Sequence, residues 1–132
     1  MLHGFLDIIR EGQPNTPIIL ISPIFCPFSE DVPGPTIASI KERDGQKRAV
    51  FGAIQGHDEV RQNSLTLTQM RTIISDLVIA RQAAGDTALE YVDGLALFGA
   101  ADQHDLPDDL HPNAAGYIRM GERFAAIAFG NL

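Results

Sequence analysis

The chain reads as an α/β protein built on a parallel sheet, and three observations predict it. Ile18-Ile19-Leu20-Ile21-Ser22 is an unbroken β-branched and apolar run stopped by Pro23. Continuous hydrophobicity of that kind predicts a strand buried on both faces of a parallel sheet. Ahead of it, Leu2, Phe5, Leu6 and Ile9 have the i, i+3, i+4, i+7 spacing of an amphipathic helix. Beyond a second helical pattern, Leu89-Glu90-Tyr91-Val92-Asp93 reads as another short strand, so that strand, excursion, helix and strand form one βαβ unit.

Gly12 and the turn chemistry of Gln13-Pro14-Asn15-Thr16-Pro17 stop the first helix. From Pro23 to Asn63 the hydrophobic period disappears. Pro23, Pro27, Pro33 and Pro35 forbid regular structure in its first part. Further on, Asp44-Gly45 between the partly alternating runs Thr36 to Glu42 and Lys47 to Phe51 predicts a small hairpin. A long excursion from the carboxyl end of a strand, the edge where open α/β sheets bind ligands, predicts one wall of a substrate site. Thr66-Leu67-Thr68-Gln69 fits a capping box that opens a helix with Leu67, Met70, Ile74, Leu77 and Val78 on one face, ended by Gly85. Gly94 terminates the second strand. In the closing helix Ala114, Ile118, Gly121, Ala125 and Ala128 form a small-residue face, with Phe124 alongside, which predicts close packing against a sheet. No repeat, low-complexity tract or linker interrupts the 132 residues, which predicts a single domain.

Composition excludes several functions. The chain is 45% hydrophobic and 20% charged, a globular profile. Its net charge of -7 is the wrong sign for a surface that tracks phosphates, so neither nucleic acid nor anionic membrane is an expected partner. Cys26, the single cysteine, excludes an internal disulfide and a multi-cysteine zinc site. Nothing approaches the roughly 20 apolar residues of a membrane span. Met1-Leu2-His3-Gly4-Phe5 lacks the basic start and apolar run of an export signal, which predicts a cytoplasmic product.

The chemistry concentrates in Asp108-Asp109-Leu110-His111-Pro112-Asn113-Ala114-Ala115-Gly116-Tyr117. Pro112 suits the first position of the last helix, which puts Asp108 and His111 in the turn before it. From three residues ahead, a carboxylate in such a turn reaches the near ring nitrogen of histidine, fixes its tautomer and leaves the other nitrogen as a base. Asp108 and His111 are therefore the candidate catalytic residues. Asp109 reads as an exposed neighbour, and His3 and His57 as surface residues. His104, Asp108, Asp109 and His111 are metal-ligating types without a recognised ligand spacing, so no metal site is predicted. Ser22 and Ser29, just beyond the first strand, are candidates for a hydroxyl nucleophile.

The D-x-x-H-P-N-A-A-G-Y run resembles the last block of the SGNH (GDSL-type) hydrolases, a family of serine esterases and lipases. The likeness takes in the helix ending Ile8-Ile9-Arg10, the strand from Thr16 to Ile24, the Leu67-containing helix, and the tail from Asp93-Gly94 to Gly121-Glu122-Arg123-Phe124. It implies a flavodoxin-like three-layer α/β/α parallel sheet, of which this chain holds the last two strands and their helices. It also implies a Ser-His-Asp triad acting on a small-molecule ester, with His111 as general base and then acid, Asp108 orienting it, and no metal or organic cofactor. The family's Gly-Asp-Ser and Gly-x-Asn-Asp blocks, which carry its nucleophile and oxyanion contributors, are not found in residues 1–132. The resemblance therefore implies a carboxyl-terminal portion, one domain lacking its amino-terminal part. The alternative is an inactive module that acts through self-association or partner binding, because a first strand without an inner neighbour offers an apolar, unpaired edge to a homo-oligomer.

Overall fold

The structure is a computed structural model that describes residues 2–54 and 63–130. Helix α1 (Leu2–Gly12) leads into strand β1 (Ile18–Ile21), which pairs in parallel with β4 (Leu89–Val92) in the register Ile18 to Leu89 through Ile21 to Val92. Helix α2 (Leu67–Ala83) makes the return between them. Leu6 of α1, Leu77 and Val78 of α2 and Leu89 of β4 form the core, with Leu2, Ile18, Leu20 and Tyr91 packed on it. The amphipathic face of α1 is narrower than its spacing predicts, since Phe5 stands 58% exposed while Leu6 is buried. Strand β1 is not buried on both faces either. It has β4 on one side and no strand on the other among the described residues, and Ile21 is 45% exposed.

The excursion does hold a hairpin, β2 (Thr36–Arg43) and β3 (Gln46–Ala53), each strand longer than the alternation alone marks out. Asp44 (φ 52°) and Gly45 (φ 72°) make its two-residue turn, with both central residues at the positive φ that a type I′ connection needs. The architecture is thus α/β, with a parallel pair and a separate antiparallel pair.

Helix α2 opens on the expected capping box: the Gln69 amide donates to Thr66 Oγ1 (3.1 Å) and the Thr66 amide to Gln69 Oε1 (3.0 Å). Its buried residues are Leu77, Val78 and, against expectation, Arg71. Arg71 is buried because the bends at Pro23 and Ile24 expose carbonyls that need donors. Its guanidinium donates to both of them (2.9 and 3.1 Å) and to both Glu30 oxygens (2.6 and 2.8 Å).

Short helix α3 (Gly94–Leu97), a 3-10 helix (Ala100–Asp105) and α4 (Ala114–Phe129) complete the order. Pro112 precedes the cap instead of starting α4. Asn113 is the cap, its Oδ1 accepting the Gly116 amide at 2.9 Å. The small-residue face of α4 does not pack on a sheet, and Ile118 is 63% exposed. The packed side carries Arg119 and Arg123, because α4 lies on α3 and the 3-10 helix, where its partners are the carboxylates of Asp102 and Asp105. Among the described residues no helix is long and apolar enough to cross a membrane.

The two carboxyl ends of the parallel pair meet at Ser22. Its buried hydroxyl accepts from the Gly94 amide (2.9 Å) and Tyr91 Oη (3.0 Å) and lies 3.4 Å from Asp93 Oδ1. A Cβ on Gly94 would run into the Ser22 and Pro23 carbonyls, whereas one on Gly121 would meet nothing within 4 Å. The two glycines should therefore respond with opposite signs in urea unfolding. Gly94→Ala is expected to cost about 1–3 kcal/mol by overpacking, and Gly121→Ala to stabilise by about 0.5–1 kcal/mol through helix propensity.

Candidate functional site

Asp108 and His111 come together in the turn ahead of α4. Asp108 Oδ1 accepts the Leu110 amide (3.0 Å) and the His111 amide (2.7 Å), which fixes the carboxylate against its own backbone. Its other oxygen lies 2.7 Å from His111 Nδ1. An ionised carboxylate only accepts, so Nδ1 carries the proton and Nε2 presents the lone pair. Burial pushes the Asp108 carboxyl up, but the His111 amide, the His111 ring and the Leu110 amide together hold it below its ordinary value. The His111 side chain is 59% exposed, so the free lone pair is open to a partner from outside.

The hairpin walls this turn and grips it at three points. The Phe51 amide donates to the Asp108 carbonyl at 2.9 Å. The Phe51 ring meets the His111 ring edge-on, with centroids 5.3 Å apart. Arg43 donates to Asp109 Oδ2 (2.6 Å) and to the Pro107 carbonyl (3.1 Å). Asp109 is therefore an ion-pair partner and not an exposed neighbour, and that pair helps hold it at φ 69°, in the left-handed region. Sequence reading missed Phe51 and Arg43 as positioning residues. No local signal marks them, because the Arg43–Asp109 pair spans 66 positions.

Behind the turn, two acids and two arginines form the platform. Asp105 Oδ1 accepts from Asn113 Nδ2 (3.0 Å) and its Oδ2 from Arg119 (2.6 Å), while Asp102 binds Arg119 (3.0 Å) and Arg123 (2.6 Å). Arg123 pulls the Asp102 carboxyl down to about 2, against the upward push of burial, with the Gly99 amide adding to the pull.

The remaining candidates lie elsewhere in the fold. Ser22 is 3% exposed and spends its hydroxyl on the strand-end cluster. Ser29 sits in the Cys26–Glu30 turn, where its amide bonds the Cys26 carbonyl. Burial pushes the Cys26 thiol up, which disfavours a thiolate. His104 caps its own 3-10 helix on the Ala101 carbonyl, Asp109 is taken by Arg43, and Asp108 and His111 pair with each other. Among the described residues no three His, Cys, Asp or Glu side chains gather as a metal site requires. His3 is exposed, and His57 lies outside the described residues.

No family model and no curated protein matches the chain. It is similar to the solved structure of a salicylyl-acyltransferase, SsfX3, from a tetracycline biosynthetic pathway. The two are 25% identical, with a TM-score of 0.65 over 97% of this chain and 31% of that one. The chain thus spans about a third of the length of that enzyme.

These findings overturn the assignment to the SGNH hydrolases and to their carboxyl-terminal portion. No family model supports it, and the matching structure is that of an acyltransferase. The motif that prompted it has a local explanation. Asp108 satisfies two turn amides, Asn113 caps α4, and a Cβ on Gly116 would crowd Pro112, Phe98 and Asp105. Turn-to-helix geometry can select these residue types without common ancestry.

The platform predicts a pH dependence. The native Asp102 pKa is depressed, so its contribution is complete above the ordinary aspartate range and is lost as pH falls toward about 2. Denaturant unfolding between pH 4 and 2 should show stability falling with acid. In Arg123→Gln that slope should flatten, and an unchanged slope would show that the pair does not set the carboxyl.

Proposed function

We propose that Asp108 and His111 are the proton-transfer half of an acyl-transfer site. The observation that carries this is the 2.7 Å contact between His111 Nδ1 and Asp108 Oδ2, on a carboxylate already held by two amides. A hydroxyl presented to Nε2 loses its proton to His111 as its oxygen attacks the carbonyl carbon of an ester. Asp108 stabilises the imidazolium so formed. When the tetrahedral species collapses, the ester C–O bond breaks and the same proton leaves with the departing alkoxide.

With a serine as the attacking hydroxyl, followed by water, the outcome is hydrolysis of a small-molecule ester by a Ser-His-Asp triad, to which this chain contributes Asp108 and His111. With an alcohol as final acceptor, the outcome is transfer of the acyl group. The likeness to an enzyme named for moving a salicylyl group supports acyl transfer as the reaction class. Turnover of p-nitrophenyl acetate by the purified chain tests the reading. His111→Ala should lower it by about 10²–10⁴-fold, with a smaller loss in Asp108→Asn. Turnover that ignores His111, or none from folded protein, counts against it.

Strand β1 favours a second reading, self-association. Its outer edge has no strand partner among the described residues, and Ile21 there is 45% exposed. A second copy that adds its own β1 would satisfy that edge, the two-fold symmetry setting the two β1 strands antiparallel in one four-stranded mixed sheet. Sedimentation should then show a dimer that Ile21→Lys dissociates, and a monomer at every concentration would overturn the idea.

A further inference from the structure

The tip of the hairpin concentrates positive charge that the chain as a whole lacks. The net charge is -7, yet three of the ten lysines and arginines, Lys41, Arg43 and Arg48, share one face of β2 and β3. Alternation along β2 puts Lys41 and Arg43 on that face, and the register sets Arg48 directly opposite Lys41. Like charges directly opposite one another destabilise an antiparallel pair. Among the described residues no carboxylate forms an ion pair with either side chain to offset that cost. Both residues are exposed, and Arg48 has only the Gln46 side-chain oxygen at 3.3 Å. Beside this face lies an open groove of about 530 Å³, within the range of small-molecule sites. Arg43 and Arg48 line it from the hairpin, and Gln103, Leu106 and Pro107 from the segment before the Asp108–His111 turn. Its carboxylates are Asp44 and Asp109. Asp109 is already neutralised by Arg43 at 2.6 Å. Arg43 keeps guanidinium N–H groups beyond those that bind Asp109 and the Pro107 carbonyl. Asp44 is therefore the single free acid of the lining against Arg48 and the neighbouring Lys41, and the hairpin side of the groove is positive.

We propose that this groove binds the phosphate group of a small phosphate ester. Guanidinium forks match phosphate oxygens in pairs, and Lys41 adds a point charge beside them. A phosphate monoester carries about 1.5–2 negative charges at neutral pH, which suits Lys41 and Arg48 together better than the single charge of a carboxylate. The groove is larger than a phosphate alone requires, and Leu106 and Pro107 give the organic part of the ester an apolar surface. The proposal is independent of the acyl-transfer reading, since it uses neither Asp108 nor His111.

The test is an NMR titration of the isotope-labelled full chain with phenyl phosphate, inorganic phosphate and benzoate, at constant ionic strength. Phenyl phosphate should shift the amides of Arg48, Gln103 and His104, and bind several-fold more tightly than either of the others. Arg48→Gln should weaken it about tenfold, and Lys41→Gln a few-fold. Lys47→Gln, the same loss of charge on the opposite face of the hairpin, should leave binding unchanged. His111→Ala should also bind normally. Benzoate binding as well as phenyl phosphate would make this a general anion site. Inorganic phosphate binding as well would leave the organic part of the ester without a role. An equal loss in Lys47→Gln and Arg48→Gln would reduce the effect to overall charge. Each of these outcomes, or no shift at all, overturns the proposal.

Discussion

One buried hydroxyl, that of Ser22, holds together the point from which the Asp108–His111 end of the molecule is built. It accepts hydrogen bonds from the Gly94 amide and the Tyr91 hydroxyl, and it faces Asp93, so the carboxyl ends of β1 and β4 cannot separate without stranding several polar groups. Each buried group left unpaired costs about 1–3 kcal/mol. That cost keeps the Gly94 backbone pressed against the Ser22 and Pro23 carbonyls, a distance only glycine tolerates. Helix α3 starts there, capped by Asp93, and the Phe98 carbonyl closes onto the Phe25 amide at 3.0 Å. The start of the excursion and the approach to the His111 turn are thereby tied to one another.

Beyond that point, arginines do much of the positioning. Arg71 gathers Glu30 and two bend carbonyls, Arg119 and Arg123 gather Asp102 and Asp105, and Arg43 gathers Asp109 and the Pro107 carbonyl. The planar fork of guanidinium suits this work, because it satisfies several oxygens in fixed geometry. Such pairs add little net stability once desolvation is counted. Their effect is on shape: irregular backbone with few ladder hydrogen bonds is held in one conformation.

The Asp108–His111 pair benefits from that rigidity while remaining open. Its carboxylate is fixed by backbone amides and its ring by Phe51, yet the ring is more than half exposed. Orientation set before the partner arrives lowers the reorganisation needed during proton transfer. The hairpin supplies part of that rigidity, since the Phe51 amide of β3 donates to the Asp108 carbonyl and Arg43 of β2 holds Asp109.

Local chemistry made much of this legible in the sequence. The capping box at Thr66, the Asp44-Gly45 turn, the two short strands and the Asp108–His111 contact each depend on residues within a few positions of one another, so spacing alone specifies them. The exposed flank of β1, the burial of Arg71, the Arg43–Asp109 pair and the use of Phe51 against His111 join positions far apart in the chain. No periodicity encodes such contacts. The sides of α1 and α4 that face solvent escape sequence reading for the same reason, because apolar spacing marks a face without saying what will cover it. The sequence by itself determined α1, the four strands, α2 and α4, their order and the chemistry of the turn before α4, while the short helix Gly94–Leu97 and the 3-10 helix Ala100–Asp105 lie in what reads as a loop. Tertiary structure alone decided which side chains surround that turn, because those neighbours are chosen by the packing of distant segments and by charges that meet only when the chain has folded.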